Sequence, residues 1–324
     1  METLLKYIRL ADTNSIGPTT VKKIINHFGS IEDLDFEELK KLIGKTKADL
    51  VKISINSPRN YEKKLVKVIE DERVVFVTLE EKDYPDILKT IPDPPPFLFY
   101  IGEKIKCGIG VVGTRKPSEK SLKTVEVVVK KEKGTVISGG AKGIDYKAHL
   151  FALEQGIPTV IVLGSGILEM DRRIKVLLEK YENISVVSEF LPWKKANKYT
   201  FPKRNRIIAG LSEKIFVIEA GRKSGALITA SYAKRYGRKV FVYIGDEDSE
   251  RWEGCKELLK KGIAKKIEFS SDLNKDLISF LSKPRTFDEV MSFLNSNLKD
   301  TFSVLTRLML EGKIIQEGAY YTRI

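Results

Sequence analysis

From Ile109 onward, apolar and polar positions follow a repeating plan: a short run of β-branched residues, a glycine-rich turn, then a helix-length stretch with one apolar face. Runs at 109–112, 135–138, 158–163, 184–188, 214–218 and 239–244 predict strands. Thr159-Val160-Ile161-Val162-Leu163 lacks polar alternation, which predicts a strand covered on both faces, as in a parallel sheet between layers of helix. The plan predicts an α/β fold with a doubly wound, mostly parallel sheet. Val74 to Thr78 and Phe97 to Ile101 predict two more short strands, separated by Tyr84-Pro85 and a proline cluster, Pro92 to Pro96, that reads as a rigid linker.

The two ends of the chain follow other plans. Val21, Ile24, Ile25 and Phe28 recur at helical spacing between Pro18, a favoured first helical residue, and Gly29. Asp35 and Glu38 have the spacing of a capping box for a second helix ending near Gly44. Residues 1–70 are therefore expected to form a small helical domain, whose turn at Ile16-Gly17-Pro18 is similar to a helix-hairpin-helix. After Pro284, the box Thr286-Phe287-Asp288-Glu289, a helix lined by Val304, Leu305 and Leu308, and a hairpin about Glu317-Gly318 predict a winged-helix domain over 283–324. That leaves 71–282 for the α/β domain.

Composition narrows the chemistry. Two cysteines, Cys107 and Cys255, stand far apart without a CxxC, and the two histidines are His27 and His149. No disulfide framework, metal site or cofactor is expected from such a set. No apolar run approaches the ~20 residues of a membrane span, so a cytoplasmic protein is expected. The net charge is +13, and the segment from Lys198 to Lys239 carries eleven cations against Glu213 and Glu219. A concentrated basic field suits a polyanion such as a phosphate backbone. A lysine-rich surface of thermophilic type would also account for the charge taken alone.

Ligands of open α/β sheets bind beyond the carboxyl ends of the strands, and four turns there are rich in small residues. They are Gly113-Thr114-Arg115, Ser138-Gly139-Gly140-Ala141-Lys142-Gly143, Gly164-Ser165-Gly166 and Ser224-Gly225-Ala226. Glycine lets backbone amides approach an oxyanion, and a following helix N-terminus adds a favourable dipole. Gly108-Ile109-Gly110-Val111-Val112-Gly113 matches a dinucleotide fingerprint literally, but its first glycines fall at the start of a strand, and the next strand ends in Ser138 where a ribose-binding acid belongs. The segment Phe201-Pro202-Lys203-Arg204-Asn205-Arg206 predicts cationic forks and an amide at a helix N-terminal turn, able to clamp successive phosphates. Tyr199 and Phe201 offer flat faces on which an unpaired base can stack, or they staple the helix.

Tyr84-Pro85, Gly113-Thr114-Arg115, Ser138 to Asp145 with Ala148-His149, Ser188-Glu189, Phe201 to Gly210, Glu219-Ala220, Ser224-Gly225 and Thr229-Ala230 together resemble the DNA-processing protein A family, DprA or Smf, over roughly residues 80 to 262. The resemblance implies an extended Rossmann-like domain that forms a homodimer, binds single-stranded DNA without enzymatic activity, protects incoming strands in natural transformation and helps load the RecA recombinase. It places the contacts at Arg115, at the turn from Ser138 to Lys142 and at Lys203, Arg204 and Arg206, with Asp145 and His149 as scaffolding. Two segments depart from the family pattern: Val242 to Asp246 stands in place of a proline-glycine pair, and Gly166 to Asp171 lacks a tyrosine-proline.

The nucleic-acid-binding set expected on these grounds is Gly113, Thr114, Arg115, Ser138, Gly139, Gly140, Lys142, Phe201, Lys203, Arg204, Asn205, Arg206, Ser224 and Gly225. A competing reading is a nucleotide hydrolase similar to the lysine-decarboxylase-like phosphoribohydrolases, with Asp145 or Glu219 assisting N-glycosidic cleavage, although their PGGxGTxxE signature is missing. A third is a winged-helix regulator of duplex DNA.

Overall fold

The computed structural model describes residues 1–245, 249–267, 277–294, 296 and 298–324. Asp246, at the end of one segment that departs from the family pattern, lies outside them. The chain forms two compact units, Met1–Lys266 and Ile267–Ile324.

The first unit is built on nine strands: β1 (Val75–Thr78), β2 (Phe97–Gly102), β3 (Gly108–Gly113), β4 (Val136–Ser138), β5 (Thr159–Val162), β6 (Ile184–Ser188), β7 (Ser212–Ile218), β8 (Lys239–Tyr243) and β9 (Lys265–Lys266). Their order is β1-β2-β6-β5-β4-β3-β7-β8-β9. From β6 to β9 every pairing is parallel, and β2 and β1 add an antiparallel edge against β6. The chain winds outward from β3 to β6, then returns to lay β7 on the other side of β3. That reversal of order falls between β3 and β7, where crevices form at the carboxyl ends of parallel strands.

Local residue choice explains the central strand. All six residues of the fingerprint-like run are strand β3, not a turn. A side chain at Gly108 would strike the Thr135 carbonyl, one at Gly110 would strike Ile215 and Ser212, and one at Gly113 would meet Ile218 and Ile144. These glycines let neighbouring strands and a helix close on β3.

The helical region contributes α1 (Glu2–Ala11), α2 (Pro18–Phe28), α3 (Phe36–Ile43), α4 (Lys45–Ile55) and α5 (Glu62–Asp71). Its buried Leu4, Tyr7, Ile8, Val21 and Leu39 belong to one continuous apolar core with the sheet residues Val77, Phe99, Val162 and Val217. Arg9 forks onto Glu62 with hydrogen bonds of 2.7 and 2.8 Å and also donates to the Ile55 carbonyl at 2.7 Å, tying three of the helices together. Asp35 caps α3 by accepting from the Glu37 and Glu38 amides. The reciprocal half of the expected box is absent, because the Glu38 carboxylate takes His27 Nε2 at 2.7 Å instead.

The proline segment is not a linker. Pro94, Pro95 and Pro96 are buried. Tyr84 donates to the Pro95 carbonyl at 2.8 Å, Lys22 to the Ile91 carbonyl at 2.7 Å, and Tyr236 to the Asp93 carboxylate at 2.6 Å. Burial of a chain with few free amides, tied down through these acceptors, makes it a fixed part of the core.

The second unit has helices Phe287–Leu294 and Leu298–Leu310 and an antiparallel sheet of β10 (Arg285–Thr286), β12 (Tyr320–Arg323) and β11 (Ile314–Glu317), in that order. This is a winged-helix arrangement around a core of its own, with Leu281, Val290, Leu305, Leu308, Ile314 and Tyr321 buried. Here the capping box closes in both directions, with Thr286 and Glu289 each accepting from the other's amide.

Candidate nucleic-acid interface

A cavity of about 540 Å³ opens where the strand order reverses. One wall is the turn leaving β3 (Gly113, Thr114, Arg115), the opposite wall is the turn leaving β7 (Gly221 to Gly225), and the floor comes from the helix Thr200–Leu211 with Asp145 and Ala141. Phe201, Arg204, Asn205 and Ile208 of that helix face it. Their spacing of three, four and seven residues is one face of a helix.

That periodicity divides the Lys-Arg-Asn-Arg run. Arg206 and Lys203 are not in the cavity lining. Arg206 is buried and paired with Glu189, and its Nη1 donates to the Asp93 carbonyl at 2.7 Å. Both edges of the Arg206 guanidinium are engaged inside the protein, which places it in a core ion pair away from the cavity where a phosphate contact was expected. Lys203 is exposed, 3.9 Å from Glu189 and 5.5 Å from the centre of the Phe190 ring.

Arg204 forms the back of the cavity in an unusual state for an arginine. It is 5% exposed, Nη1 donates to the Gly139 carbonyl at 2.9 Å and to the Val162 carbonyl, and Nε donates to Asn205 at 3.1 Å. Its carbon Cζ lies 5.9 Å from the centre of the Phe201 ring. Burial, eased by Asp145 and aggravated by Arg115, brings its pKa down to about 10. Asp145 beneath it accepts from the Gly139 amide at 3.2 Å. Burial raises the Asp145 pKa, although the Arg204 charge and the backbone amides of Gly139 and Gly113 pull the other way.

The turn after β4 supports this arrangement instead of opening onto the cavity. Ser138 is buried and donates to the Val111 carbonyl. Gly139 leaves room for the Arg204 guanidinium, and Gly140, at φ +67°, faces Ile161 and Ile174. Of the turn, only Ala141 lines the cavity, and Lys142 is exposed outside the lining. Gly164 and Gly166 likewise make contact with protein, the first with the Phe201 ring and the second with the Leu191 and Pro192 carbonyls. Buried His149 touches Thr159 Oγ1 through Nδ1, and burial takes its pKa down to about 3.

The exposed cations are Arg115, Arg222 and Lys223. Arg222 reaches Glu253 at 3.2 Å, whereas Arg115 and Lys223 make no ion pair among the described residues. Arg222, Lys223 and Thr229 are absent from the set expected from sequence. A signal for them exists, since Arg222 and Lys223 adjoin Ser224-Gly225 in the most basic stretch of the chain. Both walls are fastened by Glu219, buried with a positive φ of +57°. It accepts from the Ser118 amide at 2.7 Å and hydroxyl at 2.9 Å and pairs with Arg251, which also donates to the Lys116 carbonyl. Burial would raise its pKa, but these donors together hold it below the ordinary carboxylate value.

Comparisons with known proteins point to one family. A family model for the DNA recombination-mediator protein A matches residues 75–278. Protein Smf of Synechocystis sp. is 31% identical over 283 residues, covering 79% of this chain and 68% of that one. DNA processing protein DprA of Streptococcus pneumoniae is 38% identical over 197 residues, covering 59% and 70%. An X-ray structure of DprA from that species superposes with a TM-score of 0.68 at 29% identity, covering 81% of this chain and 94% of that one. A structure of DNA processing protein A from Helicobacter pylori, described for its single-stranded DNA binding mode, gives a TM-score of 0.53 at 26% identity, covering 63% and 96%.

Proposed function

Because the chain belongs to the DNA recombination-mediator protein A family, we propose that it binds single-stranded DNA, with the backbone held by the two walls of the cavity. The observation that carries this reading is the convergence of Arg115, Arg222 and Lys223 with an accessible aromatic face, Phe201, at the reversal of strand order. Cations neutralise phosphates without reading sequence, and a flat ring stacks on any base, so the combination favours an unpaired strand of arbitrary sequence. Duplex DNA hides its base faces and gains nothing from Phe201.

Binding without catalysis is part of the proposal. Asp145 is the sole carboxylate among the described lining residues, and it already holds the Gly139 amide. We assign the protein to strand protection and to handing DNA to a RecA-type recombinase, as a cytoplasmic homodimer. No helix among the described residues is long and apolar enough to cross a membrane. Filter binding at several salt concentrations tests the central claim: the expected result is a preference for single strands over duplex and an affinity that falls as salt rises. Equal affinity for both forms, or indifference to salt, overturns it.

A further inference from the structure

Beside the cavity lies a second surface of the same chemical character. Between Phe190 and Ser212 the sequence contains no carboxylate, and it carries Lys194, Lys195 and Lys198 ahead of the helix Thr200–Leu211. These lysines are exposed, and Lys194 and Lys195 make no ion pair among the described residues. Aromatic rings alternate with them. Tyr199 is 72% exposed with the Lys198 ammonium 5.0 Å from its ring centre, and Trp193 has the Lys64 ammonium of helix α5 at 4.6 Å and Tyr61 edge-on at 6.2 Å.

The segment is held in place. The Lys194 carbonyl accepts from the Gly166 amide at 2.7 Å, and the Asn197 carboxamide accepts from the Tyr199 and Thr200 amides at 2.9 and 3.1 Å. Phe201 lies eight positions after Trp193, a reach of at most roughly 30 Å. One fixed loop thus joins the aromatic face of the cavity to the helical region.

Resting on the proposed function, we infer that a bound single strand continues out of the cavity past Phe201 and Tyr199, along the Lys194–Lys198 loop and onto Lys64 of α5. The helical region is then part of the DNA-binding surface. Lysines spaced among flat rings neutralise successive phosphates and stack bases without regard to sequence. A peptide partner would need carboxylates to match the lysines and would leave the exposed Tyr199 ring without a specific use.

An oligothymidylate length series tests the path. For the wild type, affinity rises with length from about 5 to about 30 nucleotides. Lys195→Glu and Lys64→Glu, alone and together, leave the shortest oligomer within about twofold. The double variant weakens the longest about tenfold, and its log-affinity against log-salt slope falls by about 0.7 for each phosphate that is no longer neutralised. Lys195 makes no hydrogen bond or ion pair with α5 among the described residues, so its effect does not depend on the Lys64 packing. Equal losses for short and long strands, or none for either, overturn the path while leaving the cavity intact. Failure of the wild type to prefer single strands at any length overturns the underlying function instead.

Discussion

The guanidinium of Arg204 occupies the space that a β-carbon on Gly139 would need. One residue is glycine so that the other can stay buried against the Gly139 and Val162 carbonyls. Gly139→Ala should therefore displace Arg204 from the back of the cavity, costing about 1 to 3 kcal/mol as its hydrogen bonds break. Urea unfolding measures the loss. Wild-type stability in the variant would show that the two groups do not compete for that space.

Arg115 and Arg206 should behave oppositely, although the sequence suggests a phosphate contact for both. Arg115→Ala is expected to leave stability within about 0.5 kcal/mol and to reduce the salt slope of single-strand binding by about 0.7. Arg206→Ala strands Glu189 in the core and should cost about 3 to 5 kcal/mol. Its effect on affinity, measured on the folded fraction, should be small. A direct role for Arg206 on DNA would produce the reverse pattern.

Glu219 fastens the turn carrying Arg115 to the turn carrying Arg222, so Glu219→Gln should weaken DNA binding without removing any cation. Losing the charge that holds the Ser118 donors and Arg251 is expected to cost about 2 kcal/mol of stability. In an Arg115→Ala background the same change should reduce affinity less than it does alone, because the wall it positions no longer carries its principal cation. A double-mutant cycle reads this coupling, and strict additivity would rule out positioning.

His149 gives a pH signature. Burial brings its folded pKa to about 3 from an ordinary value near 6.5, so between those limits the unfolded chain binds more protons and stability falls as pH falls. From pH 7 to pH 5 this group should remove about 2 kcal/mol. His149→Gln should lose that increment, seen as a smaller difference between denaturation curves at the two pH values. A wild type and variant with parallel pH dependence would place the proton elsewhere.

Much of this architecture is legible in the sequence because it rests on local patterns. The strand predicted at 184–188 is β6 with the same limits, and Thr286 with Glu289 closes the predicted box. Expectation and structure part where a distant residue decides the outcome. His27 captures Glu38, Arg204 explains Gly139, and Lys22, Tyr84 and Tyr236 pack the prolines. Arg206 is a different case: counting 3.6 residues per turn from Phe201 sets it on the opposite face from Arg204. The two-residue edge strand β9, Lys265–Lys266, carries no apolar signal.

The apolar core shared by the five N-terminal helices and the sheet has a consequence for the history of the chain. Leu4, Tyr7 and Ile8 cannot be shed as an accessory, since their removal would wet Val77 and Phe99 beneath them. A descendant that dispensed with its first seventy residues would have to repaint that flank with polar side chains before it could remain in solution.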